Sequence, residues 1–446
     1  MASDERACRR AAPGACSTGA VVLVALAALA LRLAWGAATL PDPSAELSDT
    51  LWYHQTATLL AQGRGYVNPF TGEGTAAWPP GYPLALAAFY AALGPSPAWG
   101  LLLNAAAGAL TCVACWRLGI GASAALRGGL YAALLVALFP SLVFFAPLLL
   151  SESVFAGLAS LLLLAGARLL EAGPRPAPFL RWVRWGAGVG VATLVRAEGA
   201  SMLLIPPLTA ASLRDRTSAA RALIAGSLGA VLVLAPWTLR NAAVFGTFVP
   251  VSTSFGRTFW LGHNPAATGG MKRALHEIMA STVEREYAGL PGPQAELARS
   301  RRYTRLAIDY ALAHPCQEIG LLFLRIYHLF RGDHVWSSWY PTTPGAFLLS
   351  QVSRRWLGRL SDSYYLAVLI LAGVGCLRWR PARRPLPRVL QLFVGLWVLV
   401  FAFIYGDPRF HLPLLPVFSV MAAQALVTCA EEQGQQPAPD QHGATD

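Results

Sequence analysis

The sequence predicts an all-α, polytopic membrane protein, and three observations carry that prediction. Only 13% of the 446 residues are charged and 55% are hydrophobic, against about 25% charged in an ordinary soluble domain. The apolar residues fall in long blocks, at 21–40, 99–116, 128–150, 154–170, 223–239, 364–377, 389–404 and 412–427. About 20 apolar residues cross a hydrocarbon core roughly 30 Å thick as a helix. In lipid the backbone must satisfy its own hydrogen bonds, so repeated blocks mean helices. The alternation of a membrane barrel strand is missing from these blocks.

Basic residues set the threading, because Lys and Arg collect in short cytoplasmic loops. The net charge of +12 is read mainly as this bias, and in part as recognition of an anionic substrate. Nucleic acid is not expected, since the Arg clusters sit in short loops between spans. Arg6, Arg9 and Arg10 put the N-terminus inside. Block 21–40 holds one charge, Arg32, and is too long for a signal-peptide core. It is read as a retained span that delivers Pro41 outside. Arg117 and Arg127 mark the next inside loop, so one crossing lies between. It is assigned to 99–116, and the shorter 82–93 becomes a helix on or dipping into the outer interface. Block 128–150 is expected to return as a single span, leaving Ser151 and Glu152 at the outer rim.

Block 154–170 then runs in to Arg168, Arg175, Arg181 and Arg184. The next basic loop holds Arg214, Arg216 and Arg221, so the apolar stretch between them crosses twice as a pair of short helices. Arg196-Ala197-Glu198 lies near their turn. Block 223–239 exits and places Arg240-Asn241 outside. The region 241–361 is mainly outside, with charged helices at 271–286 and 294–308. The short apolar stretch 318–330, with Arg325 and His328, is read as apposed to the membrane. Block 364–377 enters toward Arg378, Arg380, Arg383, Arg384 and Arg388. Block 389–404 exits to Tyr405-Gly406-Asp407-Pro408-Arg409, and 412–427 enters last. The total is about ten crossings, with no internal repeat visible.

The expected organisation is therefore a cytoplasmic tail 1–20 and an N-terminal transmembrane module 21–240 with outer loops 41–98 and 150–153. A mainly extracytoplasmic segment 241–361, C-terminal transmembrane helices 362–430 and a disordered cytoplasmic tail 431–446 complete it. The seven Cys show no zinc spacing and no evident disulfide pair, so they read as small buried apolar side chains.

Ionisable groups at a membrane rim are costly and are candidates for function. The first outer loop holds Ser48-Asp49-Thr50-Leu51-Trp52-Tyr53-His54, and the second holds Ser151-Glu152-Ser153. Asp49 and Glu152 thus share one face. Two such carboxylates divide labour: one takes a proton from a nucleophile, the other orients it or holds a metal. Their structural alternatives are an N-cap for a helix over 51–60 at Asp49 and a dipole-favoured first-turn acid at Glu152.

Arg196, Arg240, Arg257 and Arg409, with His263 and His411, are the anion-binding candidates on the same face. The arginine fork matches phosphate with two parallel hydrogen bonds, although interfacial Arg also snorkels. Arg409 stands out, because it sits in a short outer loop where positive charge is normally avoided. Trp78-Pro79-Pro80-Gly81-Tyr82-Pro83 fixes a rigid turn into a short helix, with aromatic rings at the interface. Such rings also stack on sugar faces.

In order and sidedness these residues resemble the GT-C glycosyltransferases. Within them the sequence resembles the lipid-linked-sugar enzymes related to protein O-mannosyltransferases and aminoarabinose transferases. The marks are Asp49 with Tyr53 and Ala57 in a helix ending at Gly63, Pro79-Pro80-Gly81-Tyr82, Ser151-Glu152, and Arg196-Ala197-Glu198. Trp237-Thr238-Leu239-Arg240-Asn241, Leu261-Gly262-His263-Asn264-Pro265 and Asp407-Pro408-Arg409-Phe410 complete them.

The resemblance implies a GT-C-like bundle with outer-face juxtamembrane helices. It implies that Asp49 is the base or positions the acceptor, and that Glu152 assists it or contributes to a metal site. Basic residues, among them Arg196, Arg240 and Arg409, would hold the phosphate of a polyprenyl-phosphate-linked sugar. Tyr53, His54, Tyr82, His263 and Asn264 complete the candidate substrate-binding set. Thr50 stands where a second acid is common and Glu152 where Asp is common, which leaves a divalent metal at Asp49 and Glu152 open. The implied activity is inverting transfer of a hexosyl or pentosyl group to a lipid, glycan or protein hydroxyl. It would take place at the extracytoplasmic face of the cell membrane. The competing class, a transporter or lipid flippase without chemistry, would place paired charges in mid-membrane and usually show repeats.

Overall fold

The computed structural model describes residues 15–43, 48–171, 176–271, 283–340, 349–379 and 384–434. Most of both tails, and most of the helix expected at 271–286, lie outside the described residues. Among the described residues seven helices are long and apolar enough to cross a membrane, and the chain is an integral, all-α membrane protein.

Helix α1 (Ala15–Thr39) leads to the short α2 (Asp49–Ala61) and α3 (Gly81–Leu93). Helix α4 (Pro97–Ser123) opens with Pro at its first position, and the Ser96 hydroxyl accepts from the Ala98 amide. Both features are favoured at a helix start, where the first N–H groups have no partner within the helix. Position 49 is not a cap: Ser48 holds the N-cap of α2, and Asp49 stands in the first turn. Its carboxylate is thereby free to point away from the helix.

The block 128–150 is not one span. Helix α5 (Leu126–Ala137) stops before Phe139-Pro140, a one-turn α6 (Pro140–Phe144) follows, and irregular chain runs to Leu150. Pro140 lacks the N–H that a continuing helix would need, and its ring disfavours helical geometry at Phe139. The broken segment is fully buried, so its carbonyls need donors from elsewhere. Arg32 donates to Ala137 O and Val136 O, both at 3.2 Å, and to Ala28 O of its own helix. Asn104 donates to Ala146 O (3.1 Å) and Leu148 O (2.7 Å), and the Tyr340 hydroxyl donates to Phe144 O (2.5 Å).

The single charge of the first span is thus a structural donor at 1% exposure, placed at a helix C-terminus where a cation is favoured. Arg32→Met is expected to lower the melting temperature in detergent. It would strand the Ala137 carbonyl at about 1–3 kcal/mol, while Val136 O keeps the Phe139 amide. An unchanged midpoint, followed by intrinsic fluorescence, would show that the Ala137 carbonyl finds another partner.

Helix α7 (Glu152–Leu170) returns through the bundle. The two crossings expected next are a 17-residue α8 (Phe179–Val195), then a 3-10 helix (Ala197–Leu204) with α9 (Ile205–Ser212). Helix α10 (Arg216–Phe245) has 30 residues and spans about 45 Å. It is capped by Asp215 accepting from the Ser218 amide and ends at Gly246 in the left-handed region. Helices α8 and α10 touch backbone to backbone. A Cβ on Gly186 would lie 1.9 Å from Gly226 O, and one on Gly229 2.0 Å from Val183 O, a close approach that small residues permit in membranes. Seven of the ten expected crossings fall on helices long and apolar enough to cross; the other three fall on the broken α5–α6 segment and this short pair.

The segment 241–361, expected outside, contributes α11 (Phe255–Gly262), α12 (Gly292–Ala313) and α13 (Pro315–Phe330). Helix α13 buries Leu321, Arg325 and Leu329 and exposes Ile319, Phe323, Leu324 and Tyr327. A 3-10 helix (His334–Trp339) links it toward α14 (Gln351–Arg378) and α15 (Pro385–Phe403). The last elements are a 3-10 turn (Pro408–Leu414) and α16 (Leu415–Gly434). The span made by this turn and α16 is 83% buried, the most enclosed of the seven, and it forms the centre of the bundle.

Candidate active site

Four chain reversals meet at one end of the bundle: the start of α2, the start of α7, the end of α8, and the turn after α15. Each presents a charged side chain where apolar helix gives way to loop. Asp49 comes from the first, Glu152 from the second, Arg196 from the third and Arg409 from the fourth. The Arg409 guanidinium lies between the two acids. Its Nη1 donates to Asp49 Oδ2 at 2.7 Å, and its Nε donates to Glu152 Oε1. Arg196 Nη1 donates to that same Glu152 oxygen at 2.7 Å, and its Nη2 lies 3.5 Å from Glu198 Oε1. The result is an alternating chain, Asp49–Arg409–Glu152–Arg196–Glu198.

Accessibility divides the two acids. The Glu152 side chain is 1% exposed and shared by two guanidinium groups, whereas Asp49 is 24% exposed and Arg409 12%. Glu152 Oε2 has no hydrogen-bond partner among the described residues. The face of Arg409 is covered by Trp339, whose ring centroid lies 4.6 Å from Cζ, and Arg196 lies over Phe410 at 5.6 Å. Asp407 caps the turn by accepting from the Arg409 amide at 2.9 Å. Burial pushes the Asp407 carboxyl above its ordinary range, with that amide opposing the shift.

The backbone explains why Arg196 faces inward. A Cβ on Gly81 would stand 2.8 Å from Leu194 O, so the Pro79-Pro80-Gly81 turn abuts the end of α8. Tyr53 and Tyr82 fill the floor beside it, both buried, with ring centroids 5.2 Å apart. Burial, and then the nearby charge of Asp49, push the Tyr53 phenol up.

The remaining expected residues fold into supports elsewhere. His54 Nδ1 pairs with the Tyr90 hydroxyl at 2.8 Å, toward α3. Arg240 donates to Tyr66 O and to Thr75 O (2.6 Å) and covers Trp237, so it clamps the loop between α2 and α3. His263 Nε2 bonds the Phe403 carbonyl at 2.8 Å, and its Nδ1 lies 2.9 Å from Glu318. Arg325 donates to Ala402 O and Gly262 O. Together these two residues cap the C-terminus of α15. Asn264 donates to Trp260 O and accepts from the Ala266 amide, closing α11. Arg257 lies on α11 near Tyr303, and His411 is buried two residues beyond Arg409.

The expected set left out Trp339 and Glu198. Trp339 is one of 14 Trp in the chain, with nothing around it to mark it. Glu198 was legible as the close neighbour of Arg196.

Asp49 and Glu152 do not fit a divalent metal site in this arrangement. Both already bind the Arg409 cation, and no group of three or more His, Cys, Asp or Glu able to hold an ion occurs among the described residues. The guanidinium stands where a shared metal ion would have to sit. The prediction is that activity survives a strong chelator. Loss on chelation that Mn²⁺ restores would contradict it.

No protein-family model matches the chain, and no curated protein matches it. Solved structures do. The oligosaccharyltransferase AglB of Archaeoglobus fulgidus, in complex with an inhibitory peptide and a dolichol-phosphate, matches at a TM-score of 0.55 and 15% identity. That match covers 96% of this chain and 53% of AglB. The Archaeoglobus fulgidus oligosaccharyltransferase in complex with Zn and sulfate matches at 0.54 and 14%, over 93% and 49%. ArnT from Cupriavidus metallidurans, bound to undecaprenyl phosphate, matches at 0.48 and 15%, over 95% and 82%. The chain spans about half the length of the oligosaccharyltransferases it matches. At these identities the likeness is one of fold: the chain shares the helical membrane fold of these oligosaccharyltransferases.

Proposed function

We propose that the chain is a membrane glycosyltransferase. It moves a sugar from a polyprenyl-phosphate donor to an acceptor hydroxyl at the extracytoplasmic face of the cell membrane, with inversion. The observation that carries the reading is the Arg409 guanidinium shared by Asp49 and Glu152 at one end of a GT-C bundle. The dolichol-phosphate held by an oligosaccharyltransferase of the same fold supports the donor class.

The chemistry follows from which atoms remain available. A guanidinium has five N–H donors. The two carboxylates engage Nε and Nη1 of Arg409, which leaves Nη2 for a phosphate oxygen. Arg196 adds positive charge on the far side of Glu152. When the bond from the sugar anomeric carbon to the phosphate oxygen breaks, its electron pair stays on the phosphate. Cationic groups already in place favour that growing charge without reorganising. The acceptor oxygen bonds the anomeric carbon from the opposite face, and its proton passes to the Asp49 oxygen that Arg409 does not hold. Glu152 touches neither reactant; it fixes both guanidinium groups. The products are the glycosylated acceptor and polyprenyl phosphate.

The test is transfer of labelled sugar from a synthetic polyprenyl-phosphate donor, in membranes with and without the protein. Label is expected to leave the donor fraction only where the protein is present. Equal transfer in both membranes would remove the reading.

A further inference from the structure

The buried imidazole of His411 has no part in the reaction above, yet it lies on the same seven-residue turn as Arg409. Its Nδ1 is 2.7 Å from the Leu329 carbonyl, and its Nε2 is 3.0 Å from Asp333 Oδ1. The ring lies flat against Tyr365, with centroids 4.7 Å apart and planes 7° apart. Asp333 is equally buried, and its Oδ2 accepts from the Ser361 hydroxyl at 2.9 Å. A carbonyl can only accept, so His411 Nδ1 carries a proton. One further proton lies between Nε2 and Oδ1. The pair is neutral overall whether it is imidazolium with carboxylate or imidazole with acid. A neutral, hydrogen-bonded pair avoids the heavy cost of an isolated buried charge. Burial pushes the Asp333 carboxyl up, against the lowering effect of its hydrogen bond with His411.

Position gives the pair its meaning. Residues 333–339 meet the Arg409 turn at both ends. Asp333 holds His411, and Trp339 covers the Arg409 guanidinium at 4.6 Å. One short piece of the outer segment therefore grips both the turn and the side chain that the turn presents. The turn is further tied by Trp397 Nε1 donating to Phe410 O at 2.7 Å.

We propose that Asp333 and His411 are positioning residues: a buried latch through which segment 333–339 holds Arg409 between Asp49 and Glu152. Its effect on turnover rests on the transferase reading, whereas its effect on the placement of Arg409 does not.

Phenylglyoxal, which modifies accessible guanidinium groups, reads that placement directly when the modified residues are mapped by mass spectrometry on the purified full chain. Asp333→Ala and His411→Leu each break the bond between the pair, since neither new side chain can donate or accept. Asp333→Asn keeps the shape and offers an amide N–H to Nε2. Arg32, buried in the first span, reports general loosening. In Asp333→Ala and His411→Leu, Arg409 is expected to react about tenfold faster, as for the loss of roughly one buried hydrogen bond. Arg32 should stay unreactive, and Asp333→Asn should keep Arg409 protected. Turnover should fall with the loss of protection while the acceptor KM holds.

Unchanged Arg409 reactivity in both disrupting variants would overturn the latch. So would Arg409 and Arg32 becoming reactive together, because the pair would then only maintain the fold. A parent protein that shows the labelling pattern but transfers no sugar would remove the transferase reading and leave the latch standing.

Discussion

Asp49→Asn is expected to lower the transfer rate about 10²–10⁴-fold, the usual contribution of a positioned general base. The substitution keeps the side-chain shape and an oxygen to accept from Arg409 Nη1, now 2.7 Å from Asp49 Oδ2. It removes the capacity to take the acceptor proton, together with the negative charge that pairs with Arg409. The helix should not suffer, because Ser48, not Asp49, holds its N-cap. Donor binding should also survive, since the guanidinium proposed to meet the phosphate stays in place. Turnover measured with labelled donor, beside donor affinity and melting temperature, separates these outcomes. Near-normal turnover in a folded Asp49→Asn protein would contradict the assignment of Asp49 as base.

Arg409→Ala has the second large expected effect, and it acts on binding as well as rate. A buried charge-assisted hydrogen bond contributes about 1.5–3 kcal/mol, so donor affinity should fall by about one to two decades. Turnover should fall further, because losing a donor aimed at developing charge costs about 10²–10³ in rate. The variant also leaves Asp49 and Glu152 without the cation they share, and breaking a buried pair is destabilising. Arg409→Lys controls for that. It restores a positive charge but not the fork that reaches both carboxylates, so it should recover stability more than turnover. Donor affinity unchanged in a correctly inserted Arg409→Ala protein would take Arg409 out of the donor site.

Much of this architecture was legible in the sequence because hydropathy blocks and basic loops report directly on helices. The break after Ala137 was hidden because a buried broken segment is as apolar as a straight span. Pro140 marked the place, but only tertiary donors such as Arg32, Asn104 and Tyr340 make a break there affordable.

The site shows the same split. Asp49, Glu152, Arg196 and Arg409 were visible as charges at the ends of apolar blocks. Their pairing was not, because it joins four elements distant in the chain. His54, Arg240 and His263 give the same one-dimensional signal, a polar residue at the outer end of a span. They instead satisfy a phenol, loop carbonyls and the last carbonyls of α15. Only the fold tells a ligand for substrate from a ligand for backbone. Asp333 lies in irregular chain and meets His411 across a separation of 78 residues, so no local pattern announces it.

On the proposed reading this cluster carries out group transfer and does not merely move a lipid. The most direct measurement is release of free polyprenyl phosphate by the purified protein in proteoliposomes, counted against sugar delivered to the acceptor fraction. Group transfer predicts that the two products appear together in equal amounts, and that both depend on Asp49. Redistribution of intact donor between leaflets, with no polyprenyl phosphate released, would contradict it.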